Sequence, residues 1–273
     1  MTKLPRVSII AGGYLGSRLA DKLIEQKYSV KVSFRSNAPK PSLNSVEYQH
    51  CEVSNGVVTA QDSLFDCDCL VICIPPGFKK GMGDFYAPGI EALLKRAQSQ
   101  GVNHVIYTSS IGIYPQAGVF DELSDLSFDN SKSKVLRDAE CRVLDSRVKN
   151  KHVLRLAGLI GEGRHPGDFR VSLDKLNHDG RANLVMIDDV VDAIAHLISK
   201  PDTDSLVYNL CASHTPSKQS VYRYAKQLKG IETPSPMREI ESAPKRRIDG
   251  ERICRETEFR YQHRNLFKAL QSL

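Results

Sequence analysis

The 273-residue sequence predicts an α/β fold, a doubly wound parallel sheet with a small, interleaved C-terminal lobe. Three observations carry that expectation. Short apolar runs without polar alternation, over 7–11 and 70–74, have the pattern of parallel strands covered on both faces. Stretches with apolar residues three and four apart separate such runs, and strand–helix repetition of this kind builds parallel sheets. After Gly158 the rhythm loosens into glycine- and proline-rich connections, which marks the lobe.

Taken in order, residues 7–11 form the first strand. Leu15, Leu19, Ala20, Leu23 and Ile24 then share one face of a helix over 15–27. Val30, Val32 and Phe34 mark a second strand, and prolines 39 and 41 make 36–42 a loop. A weaker third strand is expected over 46–53 and a fourth over 70–74, ended by Pro75-Pro76-Gly77. Ile90, Leu93, Leu94 and Ala97 give the next helix. A fifth strand over 104–108 runs into Ser109-Ser110, followed by a helix over 132–148 and a sixth strand over 153–156. Beyond Gly158 the pattern predicts a helix over 168–178 and a short strand over 184–187. Asp188 or Asp189 is expected to cap the helix that carries Val190, Val191, Ile194 and Leu197. A strand over 207–211, a helix over 217–229 and a Pro-rich connection over 234–244 complete the reading.

A hydrophobic share of 41% and a charged share of 26% suit a soluble globule long enough to need no disulfide or metal staple. The net charge of +6 is dispersed. Even between Arg238 and Lys268, acids such as Glu239, Asp249 and Glu256 intervene, so a solvated surface is expected rather than a nucleic-acid patch. Seven cysteines lack framework spacing and read as buried, reduced thiols, which points to the cytoplasm. No run approaches 18 apolar residues and no charged-then-apolar leader opens the chain, so neither a membrane span nor a secretory signal is expected.

The chemistry begins at Ala11-Gly12-Gly13-Tyr14-Leu15-Gly16, which sits between the first strand and the first helix. A diphosphate needs a tight turn, backbone amides aimed at it and a helix N-terminus behind it. Gly13 and Gly16 supply the second and third positions of the Rossmann-type fingerprint, and Ala11 stands at the first, where glycine is usual. An acid at the end of the second strand would bind ribose hydroxyls and favour NAD. Arg35 and Ser36 stand there instead and suit the 2′-phosphate of NADP, with NAD the alternative. The strand ends Ile74-Pro75, Ser109 and Ala157-Gly158 are expected to complete the cofactor contacts. On this reading 1–160 is a dinucleotide-binding domain to which 184–212 return, and 161–183 with 213–273 form mainly a substrate lobe.

With those residues in place the chain resembles the atypical, extended branch of the short-chain dehydrogenase/reductase superfamily, in particular NAD-dependent epimerase/dehydratase-like proteins. The supports are the opening turn, the stretch from Val105 to Tyr114, the stretch from Leu154 to Gly161, the stretch from Asn183 to Val190, and Val207-Tyr208-Asn209-Leu210. The resemblance implies that Ser110 polarises a substrate hydroxyl or carbonyl. It also implies a Tyr-x-x-x-Lys pair on the following helix. Registered on Glu140, that helix places Lys132 at the tyrosine position and Leu136 at the lysine position, so the dyad is missing. Tyr114 and Lys132 are the replacement proton carriers this leaves.

A substrate is expected at the carboxyl ends of the strands, beside the lobe. Arg164, His165 and Arg246 are candidate contacts to an anionic or nucleotide-sugar-like small molecule. A homodimer through helices at 85–100 and 131–149 is the assembly the resemblance implies. Two functions stay open: an NADP-dependent oxidoreductase or epimerase-like enzyme, and a non-catalytic NADP(H)-binding sensor or interaction protein on a reductase scaffold.

Overall fold

Val7, Ile9 and Ile10 are buried along strand β1 (Arg6–Ile10), and Leu15, Leu19, Ala20 and Leu23 are buried on one face of helix α1 (Tyr14–Glu25), as their spacing requires. The computed structural model describes residues 4–36, 45–126, 130–169, 180–204, 206–233 and 246–273. Strands β2 (Ser29–Phe34), β3 (Val46–Ser54), β4 (Val57–Ala60) and β5 (Cys69–Ile72) follow, then helix α2 (Tyr86–Ser99) and strand β6 (His104–Ser110). Next come β7 (Val119–Phe120), α3 (Ser131–Leu144), β8 (Asn150–Leu156), β9 (Gly158–Ile160), β10 (Leu184–Met186), α4 (Ile187–Ser199) and β11 (Val207–Leu210). Helix α5 (Lys218–Leu228), strand β12 (Arg247–Ile248) and helices α6 (Arg252–Glu256) and α7 (Leu266–Gln271) close the chain.

The main sheet has eight strands in the order β11-β8-β6-β5-β1-β2-β3-β4. Strand β1 pairs in parallel with β2 and β5, β2 with β3, and β5 with β6, whereas β4 turns back antiparallel on β3. The sheet reverses its winding on either side of β1, so the turn after β1 opens where a doubly wound sheet leaves a crevice.

The chain divides into two units. One comprises 1–113, 128–154 and 191–207, and the other comprises 114–127, 155–190 and 208–273. The sequence-based boundaries differ from these: only 191–207 of the segment 184–212 belong with the first unit, and 114–127 belong with the second. In the first unit α2 and α3 pack side by side, and Arg142 on α3 reaches Glu91 on α2 at 2.8 Å. The second unit has its own core of Ile160, Leu184, Met186, Val221, Leu266 and Leu270. Asn183 ties it together by donating to the carbonyl of Arg246 and accepting the amide of Ile248, each at 3.0 Å.

Two expectations need correction. The chain passes from β10 directly into α4, so Asp188 and Asp189 lie in the first turn of the helix and neither caps it. Asp189 is instead buried and accepts the amides of Gln262 and His263 at 2.7 and 3.2 Å. The glycine-rich connection expected after Gly158 also holds a strand, since Gly158–Ile160 pairs in parallel with Leu184–Met186. The expected helix over 168–178 and the connection over 234–244 lie, apart from residues 168 and 169, outside the described residues. All seven cysteines are free and none is fully exposed.

His104 at the start of β6 and His152 on β8 are both buried and joined ring to ring at 3.0 Å, and His152 reaches Thr203 at 2.9 Å. Burial holds His104 down at about 3, helped by His152, and burial holds His152 at about 4. In the unfolded chain both protonate near 6.5, so the unfolded state takes up protons first as pH falls. Their contribution to stability is full above about pH 7 and declines toward about pH 4, by up to about 1.4 kcal/mol per pH unit for each ring. Denaturant midpoints should fall over that window, and less steeply in a His104→Leu/His152→Leu variant. Equal slopes would contradict the assignment.

Candidate functional site

The turn after β1 is held by β2. The amide of Gly12 donates to the carbonyl of Ser33 and the amide of Ala11 to the Ser33 hydroxyl, both at 2.9 Å. Its three glycines are needed for different reasons. A Cβ at Gly16 would overlap the carbonyl oxygen of Ala11, so glycine there lets α1 close onto the turn. A Cβ at Gly12 would stand 2.5 Å from Val32. At Gly13 a Cβ would meet nothing within 4 Å, so the backbone faces open space. Ala11 adopts φ 81°, the left-handed region that glycine occupies without strain.

Gly13 is also the N-cap of α1, a 12-residue helix with no side-chain cap and no acid in its first turn. The positive end of the helix is therefore left for a ligand to satisfy. Ala11, Gly12 and Gly13 form one wall of a cavity of about 430 Å³. Ser33, Phe34 and Arg35 at the end of β2 form another, and Cys51 and Val53 on β3 a third. Ile74, Pro75, Pro76 and Gly77 line it beyond β5, and Met82, Phe85, Tyr86 and Ile90 close it from the side of α2. An open glycine cradle, an uncapped helix N-terminus, an arginine on the rim and apolar walls fit a dinucleotide: diphosphate on the cradle, ring on the walls.

Of the cofactor residues expected from sequence, Ala11, Gly12, Gly13, Arg35, Ile74 and Pro75 come together on this cavity. Tyr14, Leu15 and Gly16 form the first turn of α1 behind it, and Ser36 follows Arg35 on the exposed rim. Ser109 is buried and donates to Glu140 at 2.7 Å, away from the cavity lining. Ala157 and Gly158 belong to the second unit. Cys51, Val53, Met82, Phe85 and Tyr86 were not anticipated. They carry no motif, and only the pairing of β3 with β2 and the position of α2 bring them to the cavity. The Cys51 thiol is pushed up to about 11 by burial, so it lines the wall as an unreactive group.

Ser110 is half-buried and accepts the amide of Gly112 at 3.1 Å. Lys132 is exposed in the first turn of α3, with its ammonium 5.9 Å from the ring centre of Phe78. Leu136 is buried at 3% exposure and packs toward Gly112, and no tyrosine stands anywhere on α3. Tyr114 is fully enclosed in the second unit. Its hydroxyl receives a hydrogen bond from Arg155 at 2.7 Å and is bonded to Asn209 at 2.8 Å and the carbonyl of Asp121 at 2.9 Å. Burial raises its pKa although Arg155 opposes the shift.

In the second unit, Arg164 donates to the carbonyl of Leu159 at 3.0 Å. His165 is buried, and its ring accepts the amide of Gly167 at 3.0 Å. Arg246 is half-buried, and burial lowers its pKa. Lys218, the first residue of α5, is likewise lowered by burial and then by the charge of Arg246. The amide of Lys218 donates to the carbonyl of Gly180 at 2.7 Å, and the Arg181 guanidinium donates to the carbonyl of Thr215 at 3.3 Å. Neither the Lys218 nor the Arg246 side chain has a carboxylate partner among the described residues. Lys218 was missed from sequence, although a cation at a helix N-terminus, against the helix dipole, is the signal that could have found it. Among the described residues no cluster of acids, histidines and cysteines could hold a metal, and no helix is long and apolar enough to cross a membrane.

The sequence profile of the NAD(P)H-binding family matches residues 11–201. Protein YeeZ of Escherichia coli K12 is 30% identical over 267 residues, covering 95% of this chain and 97% of its own. A Methylobacillus flagellatus protein described as an NAD-dependent epimerase/dehydratase superposes with a TM-score of 0.79 at 20% identity, over 99% of this chain and 98% of that one. MoeE5 bound to UDP-glucose and NAD superposes with a TM-score of 0.76 at 18% identity, over 98% and 96%. The Bordetella bronchiseptica enzyme WbmH bound to NAD+ gives 0.74 at 16%, again over 98% and 96%. At such identities these structures establish a shared fold and nothing beyond it.

The glycines can be told apart by substitution. Gly13→Ala should leave the unfolding free energy within about 0.5 kcal/mol of wild type and weaken dinucleotide binding at least about tenfold, because the added methyl enters the cradle. Gly16→Ala should instead destabilise the fold by about 2 kcal/mol or more. Ala11→Gly should stabilise it by about 1 kcal/mol by relieving the left-handed alanine. Fluorescence titration with NADPH and urea unfolding read the two effects separately. Loss of stability in Gly13→Ala without loss of affinity would contradict the assignment.

Proposed function

The chain belongs to the NAD(P)H-binding family, and from that membership we propose that it is an NADP(H)-dependent oxidoreductase or epimerase-like enzyme acting on a polar, anionic small molecule. The observation that carries this reading is the open cradle at Gly13 with Arg35 on the same cavity. Arg35 and the neighbouring Ser36 offer a guanidinium and a hydroxyl to a 2′-phosphate, and no acid stands there to favour a free ribose. His50 steadies that rim, its ring bonded to the backbone carbonyl of Arg35 at 2.9 Å.

Bound NADP(H) would supply or accept a hydride. The chain's own contribution starts with Ser110, whose hydroxyl proton has no acceptor among the described residues and is free for a substrate oxygen. Lys132 is the proton carrier of this reading, since the hydroxyl of Tyr114 is committed to Arg155 and Asn209. Lys218, exposed at the start of α5, and the half-buried Arg246 carry like charge, which an anionic group on the substrate would offset. MoeE5, which binds UDP-glucose, supports a phosphorylated or nucleotide-sugar-like substrate class. The free thiols support a reducing, cytoplasmic setting, and the packed pair α2 and α3 is the surface on which a homodimer would form.

A second reading, a non-catalytic NADP(H) sensor, is favoured by the buried Leu136 and the absence of a tyrosine on α3. NADPH oxidation followed across carbonyl compounds and nucleotide sugars separates the two. Turnover that falls at least about a hundredfold in Ser110→Ala supports the enzyme. Tight NADPH binding with no turnover across the panel favours the sensor. Arg35→Ala should weaken NADPH about tenfold or more and NADH by less than about threefold. Equal losses would overturn the NADP assignment.

A further inference from the structure

In the first unit a pair of buried phenols runs to the cofactor cavity. Tyr86, in the first turn of α2, lines the cavity. Its hydroxyl donates to the carbonyl of Ile74 at 2.9 Å and lies 2.9 Å from the hydroxyl of Tyr107 on β6. Since Tyr86 has one proton to give, that of Tyr107 completes the second bond. Tyr107 is fully buried and does not reach the cavity. Ser109, two residues along the same strand, gives its own proton to Glu140 at 2.7 Å and so has none for the Tyr107 phenol. Glu140 is itself fully buried on α3, with the Arg137 guanidinium 3.8 Å away.

Burying two phenols is costly unless each is bonded, and the bonds hold the pair in one geometry. Its cavity end is the Ile74 carbonyl, where the chain leaves β5 for Pro75 and Pro76. We propose that Tyr107 is a positioning residue for the cofactor: fully buried on β6, it holds Tyr86 against Ile74 and so fixes the Ile74–Pro75 wall. This rests on the assignment of the cavity to NADP(H).

The consequence is a coupling between residues that do and do not touch the cofactor. Tyr107→Phe removes one oxygen and keeps the ring, yet should raise the NADPH Kd about fivefold. Tyr86→Phe should do the same. Because Tyr107 acts only through Tyr86, the double variant should be no weaker than Tyr86→Phe alone. NADPH titration of the full chain gives the four affinities, and urea midpoints are measured beside them. A merely structural role for Tyr107 predicts a lower midpoint with unchanged Kd, and that result overturns the proposal. Multiplying losses, about 25-fold in the double variant, would also overturn it, because two independent effects add in free energy. Wild-type protein that binds no dinucleotide would remove the cofactor assignment and the proposal together, a result separate from either of these.

Discussion

The approach of α1 to β1 at Gly16 is the constraint on which the rest of the first unit depends. Helix and strand can be this close only because position 16 has no side chain to strike the Ala11 carbonyl. That closeness forces Ala11 into the left-handed region, and it brings the turn beneath Ser33, which receives two of its amides. The start of α1 is left without a side-chain cap. An uncapped helix start is a small liability in an empty protein and an asset beside a diphosphate. The strain at Ala11 and the open space at Gly13 thus have one origin, a turn shaped to face a ligand rather than to close on itself.

This division explains what the sequence made legible. Strands β1 and β2 and helix α1 follow from local periodicity, and so does the fingerprint between them. Arg35 was found because its position is fixed by chain distance from Gly16. The apolar half of the cavity was not legible, since Cys51, Val53, Met82 and Phe85 are ordinary core-type residues whose role comes from strand order. Asp189 failed as a cap for a related reason: its partners, Gln262 and His263, lie more than 70 residues away. Two-residue strands such as β7 and β12, and the five-residue helix α6, are too short to show a period.

The catalytic side has the opposite character. Sequence alone located the positions where an acid–base dyad is expected and found it replaced, and the structure gives that replacement a physical content. Leu136 is packed into the core beside Gly112, so the place for a lysine is filled by hydrocarbon. Tyr114, the tempting substitute, is held by a buried arginine and an asparagine, and its raised pKa makes it a weaker acid. Of the resemblance's expectations, the serine that orients an oxygen is therefore the one whose hydrogen-bonding capacity remains free.

Charge makes the same distinction in the second unit. Arg164 and His165 were plausible ligands by composition, but each spends its side chain on a nearby backbone group. Arg246 and Lys218 do not. A lysine at a helix N-terminus opposes the helix dipole, and a neighbouring arginine opposes it again. Stability alone would select a carboxylate between them. No carboxylate stands between them among the described residues, and the anionic substrate proposed above would supply the compensating charge.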